Sequence, residues 1–192
     1  MELQIIPTPF GPLRASWTAT GQLASCTFSD AGAAADVTSQ PQGDSRLVAR
    51  QHALSRSLDE YFQRGVFRWD LDHLDWSSIT PFRRAVLRAC FHIPAGHTLS
   101  YGQLAAKAGK PRAARAVGGA MAGNPWPILI PCHRVVGAKG QLTGYSGNGG
   151  LETKRKLLDW ELAAQSKAVV AREERLPSAD RRPAMVALLN SN

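Results

Sequence analysis

Between Pro127 and Pro131 stand three consecutive aliphatic residues, Ile128-Leu129-Ile130, and this bracketed run restricts the possible folds more than any other stretch. Three residues are too few for a helix, and each flanking proline removes a backbone donor and disfavours α geometry in the residue before it. The run therefore reads as a buried strand or extended segment, enclosed by a core built from the rest of the chain. It delivers Cys132 and His133 onto a turn. A free thiol is only roughly a few per cent thiolate at neutral pH, and a neighbouring base is the usual remedy. His133 is a candidate for that base.

A chain of 192 residues can bury such a core as one large domain or two small ones. No apolar run approaches the roughly 18 residues a membrane-spanning helix needs, and Met1-Glu2-Leu3-Gln4 lacks the regions of a signal peptide, so a cytoplasmic protein is expected. The three cysteines, Cys26, Cys90 and Cys132, are widely spaced, which argues against a disulfide framework and fits a reducing compartment. The net charge of +8 is unevenly spread: residues 1–76 carry six arginines against nine acids, whereas residues 77–162 carry twelve Lys or Arg against three. The basic second part is the expected polyanion-binding face.

Segments Leu3–Ile6, Leu13–Trp17 and Leu23–Phe28, separated by Pro9-Phe10-Gly11-Pro12 and Thr20-Gly21-Gln22, predict an antiparallel meander. A small-residue loop is expected over 31–43. From Ser45 the apolar residues Leu47, Val48, Leu54, Leu58, Tyr61 and Phe62 recur near helical spacing up to Gly65. Trp69 to Ser78 reads as a linker or a last strand. Thr80 then suits an N-cap with Pro81 at the first helical position, followed by Phe82, Val86, Ala89 and Cys90 on one face and Arg83, Arg84 and Arg88 on the other. Cys90, His92 and His97 offer too few ligands, at unusual spacing, for a metal site.

Ser100 and Gln103 form a capping box for a helix over 101–108, stopped by Gly109-Lys110-Pro111, and a second helix is predicted over 112–122. Two helices joined by three residues make a helix-turn-helix pattern, whose second helix commonly enters a DNA groove. In that helix Val117 and Met121 face inward, while Arg115, Gly118, Gly119 and Ala122 share the opposite face. Two glycines there cost about 2 kcal/mol relative to alanine, which close approach to a ligand surface would justify. Lys139-Gly140-Gln141-Leu142 reads as a hairpin tip, and the glycine-rich residues 144–150 as a loop over a pocket. On the last helix, starting near Leu151, Glu161 points where Leu157, Leu158 and Leu162 point, so its carboxylate needs a hydrogen-bonding partner. A histidine beside a nucleophile would serve. Residues 163–192 read as a tail, of which the first part prolongs the helix.

The run Asn124-Pro125-Trp126-Pro127-Ile128-Leu129-Ile130-Pro131-Cys132-His133-Arg134-Val135 closely resembles the active-site signature of the O6-alkylguanine-DNA alkyltransferases, and the likeness extends over residues 80–161. The resemblance implies an α+β fold: a ribonuclease-H-like antiparallel sheet with a helix over residues 1–76, then a helical, winged-helix-type DNA-binding and active-site domain over 77–162. It implies that Cys132 is the alkyl acceptor, His133 the base acting through a water, and Glu161 the carboxylate orienting the imidazole. Tyr101 would help rotate the target nucleotide and donate toward the guanine, Arg115 would fill the vacated stack, and Asn124 would link the DNA-binding helices to the active-site turn. Ala114, Ala116, Gly118 and Gly119 would meet the DNA, and Pro131, Val135 and Ser146 the flipped base. Against the common Tyr-Ser-Gly-Gly-Leu run, two residues are inserted around Asn148-Gly149.

The implied activity is irreversible, single-use transfer of an alkyl group from O6-alkylguanine, and from O4-alkylthymine in some relatives, in duplex DNA. Neither cofactor, metal nor membrane is implied, and the protein is expected to be a monomer. The chemistry is consistent: a displacement at carbon needs a thiolate and a proton for the departing guanine, and the lesion must leave the stack to be reached. Two other readings are weighed. A non-catalytic damage binder would have lost the acceptor cysteine, and a Cys-His hydrolase would leave the helix-turn-helix and basic charge without a purpose.

Overall fold

The three amino-terminal segments form an antiparallel sheet in the order β1-β2-β3, with β1 at Glu2–Ile6, β2 at Leu13–Trp17 and β3 at Leu23–Phe28. This is a computed structural model that describes residues 1–29, 43–65, 67–145, 147 and 149–174, with side chains as far as 167. The loop expected over 31–43 lies almost wholly outside these residues, as do Ser146, Asn148 and the tail beyond 174. Leu13, Ala15 and Trp17 of β2 are all fully buried and alternate with exposed or half-buried residues, so one sheet face is covered. Helix α1, Ser45–Arg64, covers it with Leu47, Leu54, Leu58 and Tyr61. Asp44 caps its start by accepting from Leu47 N, and Gly65 ends it at φ 70°, a left-handed conformation that glycine adopts without a Cβ clash.

Trp69 to Ser78 is neither a plain linker nor a strand. Asp70 accepts from Asp72 N and starts a 3-10 turn at Leu71–His73, after which a single parallel bridge joins Leu74 to Leu23. Helix α2, Pro81–Phe91, begins at Thr80 as expected and buries Val86, Leu87 and Cys90. Strand β4, Leu99–Ser100, leads into α3, Tyr101–Lys107, whose Ser100–Gln103 capping box is fully formed. Helix α4 covers Ala114–Ala122 and so starts two residues later than predicted. The connection is six residues rather than three, because Lys110 N bonds to Ala105 O and Ala113 N to Lys110 O before helical geometry resumes after Pro111.

The Pro127–Pro131 run is buried, as expected, but it is a turn and not an extended segment. Ile128 has φ +72°, an unfavourable conformation for a β-branched residue, and Ile130 N bonds back to Trp126 O at 2.8 Å. Pro131, at φ −78° and ψ 66°, is spanned by a bond from Cys132 N to Ile130 O, an inverse γ-turn. Both prolines lack donors for a ladder, and the Asn124 side chain replaces the missing strand: its oxygen accepts from Trp126 N at 3.0 Å and its nitrogen donates to Ile130 O at 2.8 Å.

A 3-10 turn at Cys132–Arg134 follows, and β5, Val135–Val136, pairs parallel with β4. The Lys139–Gln141 turn closes with Gly137 N on Gln141 O. Helix α5 spans Gly150–Glu174, and its buried stripe is Lys154, Leu157 and Glu161. Leu162, expected on that stripe, is 53% exposed because it stands one residue, or about 100°, beyond Glu161. No helix among the described residues is long and apolar enough to cross a membrane.

One apolar core runs from Ile6 to Val135 and draws on both halves of the chain. Two bonds join the sheet to the active-site turn: Cys26 N to Pro125 O at 2.8 Å, and the indole of Trp126 to Leu23 O at 2.9 Å. Trp76 and Trp126 stack edge-on, 5.0 Å between centroids. Trp126→Ala should therefore lower unfolding free energy by about 3–5 kcal/mol while both halves still unfold in one urea transition, read by tryptophan fluorescence and far-ultraviolet dichroism together.

Candidate active site

Glu161 is the fixed point of the site. It is fully buried on α5, and its Oε1 accepts from His133 Nε2 at 2.9 Å, from Arg134 Nη2 at 2.6 Å and from the Tyr61 hydroxyl at 2.6 Å. Oε2 accepts from Gly96 N at 3.0 Å, and Arg134 Nε reaches both oxygens at 3.1 Å. Burial alone would raise this carboxyl, but the His133 and Arg134 contacts outweigh it and hold the group well below its ordinary 4.5. Glu161 is therefore an anion.

That charge state decides the tautomer of His133. An anionic oxygen accepts, so Nε2 carries the hydrogen and Nδ1 is left with a lone pair. Nδ1 is buried and has no hydrogen-bond partner among the described atoms. Enclosure pushes the imidazole below its ordinary 6.5, Glu161 pulling the other way and Arg134 and Lys154 assisting. The ring is a neutral base with its accepting nitrogen unoccupied.

Cys132 opens the 3-10 turn and is 4% exposed. Burial raises its thiol, while the Asn124 side chain, the Lys154 charge and the backbone N–H groups of Cys132 and His133 lower it. Lys154 is a fully buried cation, donating to Val135 O at 2.6 Å, Thr143 O at 2.8 Å and Gly144 O at 3.2 Å. It gives a thiolate at position 132 a fixed counter-charge. Burial is the larger effect, so all three thiols lie above their ordinary 9.0, Cys26 at about 12; at Cys132 the Asn124 side chain and the amides of its own turn oppose that rise.

Cys132, His133, Glu161 and Asn124 thus gather at one turn. Tyr101 starts α3 directly after β4, whose pairing with β5 sets it near this turn, and its hydroxyl donates to Thr143 O at 3.1 Å. Val135 contributes its carbonyl to Lys154, and Pro131 is the pivot of the γ-turn. Ser146 lies outside the described residues. Arg115, Ala116 and Gly119 are exposed on α4, with Ala114 and Gly118 half-buried. A Cβ added at Gly118 or Gly119 would meet nothing within 4 Å, so no internal packing demands either glycine.

Three residues escaped sequence reasoning. Lys154 lies three residues before Leu157 and seven before Glu161, so its place on the inward face was legible from spacing. Arg134 was implied by the need of a buried carboxylate for a cation. Tyr61 had no signal at all, being 100 residues from its partner.

Residues 81–163 match the family profile described as 6-O-methylguanine DNA methyltransferase, DNA binding domain. The chain is similar to the methylated-DNA–protein-cysteine methyltransferase of Salmonella typhimurium, 54% identical over 109 residues, which are 56% of this chain and 61% of that protein's length. The protein of the same name from Shigella flexneri is 41% identical over 128 residues, 66% of this chain and 72% of that one. Among solved structures, Mycobacterium tuberculosis OGT in complex with DNA aligns with a TM-score of 0.68 at 35% identity, covering 85% of this chain and 94% of that one.

Both shifted groups make the fold sensitive to acid. Glu161 binds its proton more weakly folded than unfolded, so the stability it contributes is present above 4.5 and is lost as pH falls below that value toward its depressed native range. His133 likewise binds its proton more weakly when folded, so stability already declines as pH falls through 6.5. Glu161→Gln should lose about 3–5 kcal/mol at neutral pH, because Arg134 is left buried without its anion, and its urea stability should fall less steeply than wild type below pH 4.5.

Proposed function

The chain belongs to the methylated-DNA–protein-cysteine methyltransferase family, and from that premise we propose that it takes the alkyl group from O6-alkylguanine in double-stranded DNA onto Cys132, irreversibly and once per molecule. The observation that carries this reading is the Glu161–His133 pair behind Cys132, with the imidazole held neutral and Nδ1 unoccupied. A water between Nδ1 and Sγ would pass the thiol proton to the ring. Sγ then attacks the alkyl carbon, the C–O6 bond breaks, and the electron pair goes to the guanine. Tyr101, released from Thr143 O, is the proton donor to the departing base. The thioether is stable, which makes the reaction stoichiometric.

Access to the lesion falls to α4. Gly118 and Gly119, with open space where a Cβ would stand, permit close approach to a groove, Arg115 fills the gap left by the extruded nucleotide, and Asn124 joins this helix to the active-site turn. The basic charge of residues 77–162 attracts the phosphate backbone. In this reading residues 1–76 form a ribonuclease-H-like unit and residues 77–162 a winged-helix-type unit, with β4–β5 and the following loop as the wing. Pro131 and Val135 line the base pocket, and three free cysteines fit a cytoplasmic site of action.

Intact-protein mass after one exposure to O6-methylguanine duplex should rise by a single methyl group located on Cys132, with no gain in Cys132→Ala; tight binding without any gain would point to a damage binder instead. Arg115→Ala should slow transfer from duplex DNA by about 10–100-fold, matching the few kcal/mol of unstacking it offsets, and leave transfer from free O6-methylguanine little changed. Equal losses on both substrates would place Arg115 outside nucleotide flipping.

A further inference from the structure

The carboxylate of Glu161 has more donors than the alkyl-transfer reading uses. Beside His133 and Arg134, the Tyr61 hydroxyl donates to Oε1 at 2.6 Å, the same oxygen that holds the imidazole. Tyr61 comes from α1 and is fully buried. Its ring is fixed by Phe62, Phe67 and Trp160, with centroids 4.9, 6.1 and 5.1 Å away. The hydroxyl therefore reaches Oε1 with little freedom to turn elsewhere.

A carboxylate and an imidazole enclosed together tend toward an imidazolium–carboxylate pair, and an imidazolium cannot accept a thiol proton. The pair can work as a base only if the accepting capacity of the carboxylate is spread over other donors. The charged groups facing His133 are Glu161 and Lys154 on α5 and Arg134 in its own turn. Arg134 draws on Glu161 as a cation; Tyr61, itself uncharged, does so by a short hydrogen bond to the anion. The phenol itself stays protonated, since burial and the Glu161 charge both oppose its ionisation.

We propose that Tyr61 is a positioning residue of the alkyl-transfer site: by donating into Glu161 Oε1 it weakens that oxygen's hold on the His133 proton, leaving the imidazole neutral and Nδ1 free. The first half of the chain thereby takes part in activating Cys132. This inference rests on the proposed function, with His133 as the base. It assigns no bond making or breaking to Tyr61.

The test is the full chain carrying Tyr61→Phe, which retains the ring and its packing and removes only the donor. With 15N-labelled histidine, the His133 ring titration should move up by about half a pH unit, a roughly threefold gain in proton affinity, and the acid limb of alkyl transfer should move with it. An unmoved or lowered titration midpoint overturns the inference, and so does a loss of rate that is uniform across pH. The ring titration does not depend on transfer, so a wild type that accepts no alkyl group would sink the functional reading while the midpoint still decides the role of Tyr61. Site-specific 3-fluorotyrosine at position 61, a stronger donor of the same shape, should move the midpoint down; no movement there also overturns the inference.

Discussion

One buried negative charge organises this structure. Glu161 is fully enclosed, and removing a carboxylate from water costs several kcal/mol unless its oxygens are saturated with donors. The donors come from three places, Tyr61 on α1, the Gly96 amide before β4 and the turn carrying His133 and Arg134, and they meet the carboxylate on α5. Satisfying this one group therefore brings together segments from early, middle and late in the chain. The packing of Tyr61 of α1 on Trp160 of α5 holds two of the same segments by apolar means. Polar and apolar demands here specify the same arrangement.

The electrostatics around Cys132 follow from that arrangement. Glu161 and Arg134 nearly cancel, His133 is neutral, and Lys154 remains as a cation held, among the described residues, by three carbonyl oxygens. Before the thiol ionises, the pocket holds an excess positive charge. When the thiol proton passes to His133 that net charge is unchanged, and the thiolate then has two cations, Lys154 and the imidazolium, to offset it. A buried thiol is ordinarily inert, as Cys26 illustrates, and what distinguishes Cys132 is this counter-charge together with the Asn124 side chain and the backbone amides of its turn. Asn124 also shapes the γ-turn at Pro131, so one side chain both builds the turn and tunes the sulfur.

The outer surface of α4 is defined by what it lacks. Gly118 and Gly119 have open space where a Cβ would stand, although helix interiors favour alanine by about 1 kcal/mol per position. Arg84 and Arg88 of α2 lie over the Trp76 ring, 5.5 and 5.7 Å from its centre, and Arg88 also lies 3.8 Å from the Asp72 carboxylate, so part of the basic surface is held in place by its neighbours.

Local chemistry was enough to read the meander, the run of α1 from Ser45 to Gly65, the Ser100 capping box and the inward aim of Glu161, since each depends on residues a few positions apart. The pairing of Cys132 with His133, and the small-residue face of α4, were legible for the same reason. Where a competing partner lay elsewhere in the chain, local reasoning failed. Ile128–Ile130 looks extended by composition, yet Asn124 and two donor-less prolines fold it into a turn; Leu162 looks buried by spacing, yet the stripe of α5 passes it by. The identity of the groups that hold Glu161 was decided only by tertiary structure, because Tyr61 meets that carboxylate across 100 residues and no periodicity in a sequence can report a contact made by the docking of separate elements.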